Sequence, residues 1–461
     1  LLHNNTRALS DKLEVEEQEP FCFTMRHLTR LAERVKMRMQ VKAGMTAAEM
    51  EQMAAREAYD VYGGILRTEH DQEIFDDMFQ TVFAGTRLVT DVKLLSDKQG
   101  VEIAGIRIEK NVNRKGMDIP GEEAKLVDVP TTVRYLSKIV VSVKMNERVL
   151  LVGPTAASKT SLIRYLAYLT GNDFARLSLD SQTDTSELIG EYTQKEGMKK
   201  REYEWRDGIL VEALKKGYWI LLDEINLAEP GILERINSLL DDDGFLVVTE
   251  HEGEVILPQE MYERLTEKQK ESGRFYPIHP DFRLFAAMNP TRYAGRNRLS
   301  LAMRNKFNEI WVNGELSLTE LEEIVAYSLK DLPRNDFIED MIKDIVLFHT
   351  TILGKIKTGD IGNRKIAGEP YSFSIRDIKQ WARFILNYVQ SHPERNIREA
   401  FVKGVIYIYR DRLELESDRE GLKPIIRSIF IKPNFDKKQE EADFDMLWES
   451  GAVKETYDIL S

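Results

Sequence analysis

Val149-Leu-Leu-Val-Gly-Pro-Thr-Ala-Ala-Ser-Lys-Thr-Ser161 is an apolar run, a loop of small residues, and then a Lys-Thr pair opening a helix. Its spacing is that of a phosphate-binding loop, GxxxxGK[ST], with Ser158 where the second glycine is expected. Val149–Val152 reads as a buried strand that delivers the chain to Gly153. Pro154, Thr155, Ala156, Ala157 and Ser158 then form a turn whose backbone N–H groups face an anion. The helix begun by Lys159, Thr160 and Ser161 points its positive end at the same place. Lys159 is expected to add a point charge for β- and γ-phosphates, and the Thr160 hydroxyl to ligate Mg2+. A chance strand, loop and helix has the same outline, so the rest of the chain must decide.

The chain has 461 residues, enough for two to four domains with buried cores. Hydrophobic residues make up 42% and charged residues 31%, the balance of a globular protein. A net charge of −12 argues against broad, sequence-independent binding to nucleic acid. One cysteine, Cys22, excludes an intramolecular disulfide framework and suits a reducing, intracellular compartment. No apolar run reaches the eighteen or so residues of a membrane span, so no membrane is expected among the partners. With Leu1 at its head, the chain is expected to be a piece of a longer polypeptide.

Outward from the loop, the middle of the chain alternates β and α patterns. Strands are expected at Val149–Val152, Ala175–Leu179, Trp219–Leu222 and Leu284–Met288, with helices between them. Short continuous apolar strands of this kind belong to a parallel sheet covered on both faces, an α/β fold. Glu191–Trp205 and Phe245–Ile256 interrupt the pattern as two hairpins. The organisation expected is a helical segment at 1–85, a linker with some sheet at 86–129, and an α/β core at 130–312. A helical segment at 313–430 and a polar tail at 431–461 follow. In the first segment Met25, Leu28, Leu31, Ala32 and Val35 share one helical face, and Thr46 with Glu49 caps a second helix that breaks at Gly63-Gly64.

The two helical segments resemble each other. Phe373-Ser-Ile-Arg-Asp-Ile stands 350 positions after Phe23-Thr-Met-Arg-His-Leu, and Tyr409 and Asp418 stand 347 positions after Tyr62 and Asp71. A repeat this long implies tandem modules rather than a solenoid.

Trp219-Ile-Leu-Leu-Asp-Glu-Ile-Asn is an apolar strand ending in two carboxylates. At the C-terminal edge of a parallel sheet these would lie beside the phosphate loop. Asp223 is expected to hold Mg2+, and Glu224 to orient and polarise an attacking water. Phe285-Ala-Ala-Met-Asn289-Pro places an amide at the end of a further strand. Tyr293–Phe307 then carries Arg296, Arg298, Arg304 and Lys306, cations of the type that stabilise a transferring phosphoryl group.

Taken together, GPTAASKTSLIRYLA, QTDTSELIGEY, WRDGILVEALKKGYWILLDEINLA, ILERINSLLDDD, HPDFRLFAAMNP and YAGRNRLSLAMRNKF resemble an AAA+ ATPase of the dynein-related, midasin-like branch. The resemblance covers about 130–409. It implies an AAA+ P-loop NTPase fold, a parallel sheet covered by helices with a helical lid, and an ATPase using ATP and Mg2+. It further implies Walker A residues Lys159 and Thr160, Walker B residues Asp223 and Glu224, and a sensor 1 at Asn289. Arg304 is implied as an arginine finger acting on the neighbouring module's nucleotide, with Arg296 behind it, and Arg376 as sensor 2, in cis or in trans. The first helical segment is implied to be the lid of a preceding module, with Arg26 matching Arg376. The implied partners are neighbouring AAA+ modules in a ring, a protein client and a von Willebrand A domain. The implied role is removal of assembly factors from precursor large ribosomal subunits, in the nucleus for a midasin and otherwise in the cytoplasm. Two other readings stay open. One is a MoxR-like chaperone ATPase working with a von Willebrand A partner; the other is a non-hydrolysing module bracing a dynein-like ring. Two departures bear on the choice: Ser158 replaces glycine, as alanine does in some MoxR-type relatives, and Lys306 replaces the second arginine of the usual R-x-R-F.

Overall fold

Residues 1–10, 13, 23–41, 44–84, 86, 92–112, 119–194, 203–241, 243–290, 298–362, 371–393, 396–430 and 444–449 are described by the computed structural model. The chain divides into two units, Leu1–Glu315 and Leu316–Ser461.

The first unit opens with helices α1 (Leu2–Leu9), α2 (Met25–Val41), α3 (Ala47–Gly63) and α4 (Glu69–Val82). α3 starts at the expected capping box, with the Glu49 amide donating to Thr46 and the Thr46 amide to Glu49. β1 (Leu94–Ser96), β2 (Gly100–Ile103) and β3 (Ile106–Glu109) follow as an antiparallel meander. The linker expected to hold some sheet thus contains three short strands. Ala104 and Gly105, both at positive φ, make the two-residue turn between β2 and β3.

Beyond α5 (Pro130–Lys144) come β4 (Val149–Val152), α6 (Lys159–Thr170), β5 (Phe174–Ser178), α7 (Thr185–Leu188), β6 (Gly190–Gln194), β7 (Tyr203–Asp207) and α8 (Ile209–Lys216). β8 (Trp219–Asp223), α9 (Pro230–Asn237), β9 (Leu246–Val248), β10 (Glu254–Leu257), α10 (Gln259–Glu263), α11 (Glu267–Glu271) and β11 (Phe275–Pro277) continue the unit. β12 (Arg283–Met288), α12 (Leu301–Arg304) and β13 (Asn308–Trp311) complete it. Five of these strands form one parallel sheet in the order β13-β4-β12-β8-β5.

Both faces of that sheet are covered, which explains the continuous apolar runs. Leu150, Val152, Ile220, Leu222, Leu284, Ala286 and Met288 enter one core. Val149, Leu151, Trp219, Leu221, Phe285 and Ala287 enter the other, against α5 and α6. Each fully buried large apolar side chain contributes roughly 1.5–3 kcal/mol. β13 was not expected, because Asn308-Glu-Ile-Trp311 is short and half polar. It pairs only with β4 in the sheet, and the Trp311 amide donates to the Gly64 carbonyl at 2.8 Å. Both expected hairpins form, the second gaining β11 as a parallel third strand; residues 195–202 of the first lie outside the described residues.

The apolar face expected of α2 is not its buried face. Met25 is 63% exposed and Leu28 37%, while His27 and Arg34 are buried. The side chains that tie α2 to the rest of the unit recur every fourth residue: Arg26, Arg30, Arg34 and Arg38. Arg30 donates to the Phe307 carbonyl, Arg34 binds Glu147 and the Ser142 hydroxyl, and Arg38 binds Glu57 and the Ala104 carbonyl. Buried arginine is stable here because its fork finds acceptors on several sides.

In the second unit α13 (Leu318–Ser328), α14 (Asp336–Thr358), α15 (Ile375–Ser391), α16 (Ile397–Ile408) and α17 (Glu416–Phe430) surround one core centred on the fully buried Trp381. Residues 444–449 of the tail are helical, and Phe444 and Trp448 enter the same core. Each unit contains the same buried constellation. In the first, Tyr62 packs on Phe23 and its hydroxyl meets His3 Nδ1 at 3.0 Å. In the second, Tyr409 packs on Phe373 and its hydroxyl meets His349 Nδ1 at 2.8 Å. Burial pushes His349 down to about 4 and lowers His3 as well, so both rings are neutral at pH 7. Asp71 and Asp418 are buried in each. Among the described residues no helix is long and apolar enough to cross a membrane.

Candidate functional site

Three adjacent strands deliver the expected site residues to one edge of the sheet. β4 runs into the phosphate loop, β12 ends before Asn289, and β8 ends in Asp223 before Glu224; Met288 lies opposite Val152 in the ladder. Lys159 is buried, and its Nζ donates to the Gly153 and Pro154 carbonyls, both at 2.8 Å, and to Asn289 Oδ1 at 2.7 Å. Asn289 Nδ2 in turn donates to Glu224 Oε1 at 2.5 Å. Lysine, amide and carboxylate, drawn from three separate stretches of sequence, therefore form one hydrogen-bonded line.

Beside it, Thr160 Oγ1 donates to Asp223 Oδ2 at 2.8 Å, and the Glu224 amide donates to Asp223 Oδ1 at 3.1 Å. A hydroxyl and a carboxylate at this spacing are hard-oxygen donors of the kind Mg2+ takes when a nucleotide's phosphates supply the rest of its shell. Among the described residues no group of three or more His, Cys, Asp and Glu could hold a metal by itself.

Two residues of the site were not read from the sequence. Asn226 is buried and donates to the Asn289 carbonyl at 2.9 Å, holding the end of β12 against the turn after β8. Its signal was present, three residues after Asp223. Arg176 on β5 places its guanidinium on Asp223 Oδ2. Nothing in the local sequence marks it, because the contact depends on the register of β5 against β8.

Backbone conformation explains the residue types in the loop. Glu224 has φ 54 and ψ 41, a left-handed conformation that non-glycine residues rarely adopt and that collects at functional turns. Ala156 and Ser158 are also left-handed, Ser158 at φ 63 and ψ 17. A glycine at 158 would adopt this without the Cβ clash, so the departure from the loop pattern is a matter of backbone strain. Ser158→Gly is expected to stabilise the folded loop by about 0.5–1 kcal/mol, part of the relieved strain being offset by the freer unfolded chain. Thermal melting with and without ATP checks this; a lower melting temperature in both conditions refutes it.

The expected arginines lie elsewhere. Arg304 is folded back on Glu309 of its own unit, with Nε to Oε2 at 2.9 Å and Nη2 to Oε1 at 2.6 Å, and Arg67 stands 3.7 Å from the same carboxylate. Arg298 is exposed, and Arg296 lies outside the described residues. Lys306 binds Asp241 at 2.7 Å and the Asn237 carbonyl at 2.9 Å. Arg26, Arg30, Arg148 and Lys306 line a cleft of about 530 Å3 beside the starts of β4 and β12, away from the phosphate loop at the strand ends. Arg376 is exposed at the start of α15, in the second unit.

Comparison with known proteins agrees with this geometry. The family described as "AAA domain (dynein-related subfamily)" matches residues 148–307, the stretch from the phosphate-loop strand to the arginine helix. The chain is 30% identical to a midasin of Dictyostelium discoideum over 341 residues, 70% of this chain and 5% of that protein. It is 28% identical to a midasin of Giardia intestinalis over 253 residues, 55% of this chain and 4% of that protein. An uncharacterised protein of Staphylococcus epidermidis is 27% identical over 225 residues, 47% of this chain and 73% of its own length. The chain thus spans about a twentieth of the midasins it matches.

Proposed function

From a chain that is an AAA+ module of the dynein-related, midasin-like branch, we propose an ATP-binding and ATP-hydrolysing segment of a ring motor that remodels protein complexes. The observation that carries this is the line from Lys159 through Asn289 to Glu224, with Thr160 and Asp223 beside it. Lys159 would exchange its carbonyl partners for the β/γ-phosphates. Asn289 would remain between ammonium and carboxylate, reporting on the γ-phosphate. Glu224, held in its left-handed turn, would orient a water and accept its proton. Thr160 and Asp223 would hold Mg2+, which neutralises charge on the phosphates when bound.

The first four helices are proposed to be the lid of a preceding module. The paired His–Tyr–Phe constellations and the matched spacing of Phe23 with Phe373 and Tyr62 with Tyr409 support this. On this reading the arginine-lined cleft faces a nucleotide of that preceding module, Arg304 leaves Glu309 to act there in trans, and Arg376 serves as sensor 2. The client proposed, by similarity to midasins, is a precursor large ribosomal subunit losing an assembly factor; a von Willebrand A domain is the proposed docking partner.

Glu224→Gln in the polypeptide that carries this segment is expected to keep ATP binding and to lower turnover by about a hundredfold or more, the loss typical of a missing general base. Tight binding by the wild type with no turnover above the variant would instead establish the bracing role that the strained Ser158 loop favours.

A further inference from the structure

On β5, the edge strand of the parallel sheet, Arg176 lies opposite Leu221 and Ser178 lies opposite Asp223. Arg176 and Asp223 are therefore diagonal neighbours, with side chains in reach of one another on the same face. Arg176 Nε is 2.9 Å and Nη2 2.7 Å from Asp223 Oδ2. That oxygen also accepts the Thr160 hydroxyl at 2.8 Å, so three donors converge on one atom. Its partner oxygen accepts the Glu224 amide. Asp223 is thereby neutralised and oriented from within the chain.

This is the oxygen pair that would hold Mg2+ if the site binds ATP as proposed, and the inference rests on that reading. A divalent ion and a guanidinium cannot both occupy the same lone pairs at contact distance, and their charges repel. One of them must give way. The Asp223 side chain is 8% exposed and fixed at the strand end, whereas Arg176 is 50% exposed and carried on a flexible stem. The arginine has room to leave, and a half-exposed pair is weak enough to be displaced. We propose that Arg176 is a positioning residue that holds Asp223 in the nucleotide-free site and yields it to Mg2+, so that it sets how much Mg2+ the module needs to bind ATP. It keeps the carboxylate aligned with Thr160 between turnovers, at the expense of competing with the metal.

The test is a titration of Mg2+ against the 461-residue chain at fixed concentration of a fluorescent ATP analogue, beside thermal melting without nucleotide. Arg176→Gln is expected to lower the Mg2+ concentration at half-maximal binding about two- to fivefold, the worth of a half-exposed ion pair. It should also lower the nucleotide-free melting temperature, while Arg176→Lys, which keeps a cation, should restore most of the wild-type midpoint. Should Arg176→Gln fail to fold, Arg176→Met keeps the stem over β5 and is read in the same way. A purely structural arginine would change melting without moving the Mg2+ midpoint. An unchanged or raised midpoint therefore overturns the latch and leaves the ATP site standing; no analogue binding by the wild type at any Mg2+ concentration overturns both.

Discussion

Arg34→Ala is expected to destabilise the first unit by about 3–5 kcal/mol, the cost of stranding buried charge, and to lower its melting temperature by roughly 5–15 °C. Arg34 is 1% exposed. Its Nε donates to Glu147 at 3.0 Å, its Nη2 meets Glu147 and Ser142, and its Nη1 stands 3.8 Å from Glu57. Burial alone would push the Glu147 carboxyl up, but the guanidinium more than offsets it and holds the group below the usual carboxylate range. Removing the fork takes from Glu147, just before the phosphate-loop strand, its hydrogen-bonded cation and leaves it Arg30 at 3.7 Å, while Glu57 on α3 loses one cation and keeps Arg38. The first four helices should then loosen from the α/β core, which limited proteolysis would detect between α4 and β1. Arg34→Lys keeps the charge and loses the fork, so it should fall between the two. A melting temperature for Arg34→Ala within a degree or two of wild type would show that the contact carries little.

Gly153→Ala is expected to weaken nucleotide binding at least tenfold and to destabilise the unit by about 1–3 kcal/mol through overpacking. A Cβ at 153 would lie 1.9 Å from the Val312 carbonyl oxygen, a backbone atom with no rotamer to change. That carbonyl follows β13, and the Val312 amide is itself bonded to Val152 at 2.8 Å, so either the phosphate loop or the edge strand must shift. The two positions of the loop therefore respond in opposite directions: alanine at 153 should weaken it, and glycine at 158 should improve it. An analogue-binding titration on both variants checks the pair. Wild-type affinity in Gly153→Ala would mean that the loop tolerates a displacement its neighbours forbid.

Much of this site is legible in the sequence. Gly153, Asp223, Glu224 and Asn289 each stand at the end of an apolar run, because a strand buried on both faces leaves no freedom for polar residues until it emerges, and Lys159 and Thr160 follow from the spacing of the phosphate loop. The matched positions of the two helical segments are legible for a related reason: Phe23 and Phe373, like Tyr62 and Tyr409, are core residues whose spacing the packing constrains. α2 misled because its apolar residues have helical period while its arginines do as well, and periodicity does not say which stripe faces inward. Exposed Met25 and buried Arg34 are the result.

By itself, then, the sequence determined four of the five strands of the parallel sheet, the phosphate loop and the acids behind it, since these follow from local pattern and burial. Tertiary structure alone decided that Arg176 meets Asp223, that Arg304 turns back on Glu309, and that four arginines of α2 tie the first helices to the core. Those contacts depend on strand register and on which face of a helix is pressed against which neighbour. Both are settled only when distant segments pack together, because an arginine's acceptors are supplied by the fold and not by its neighbours in sequence.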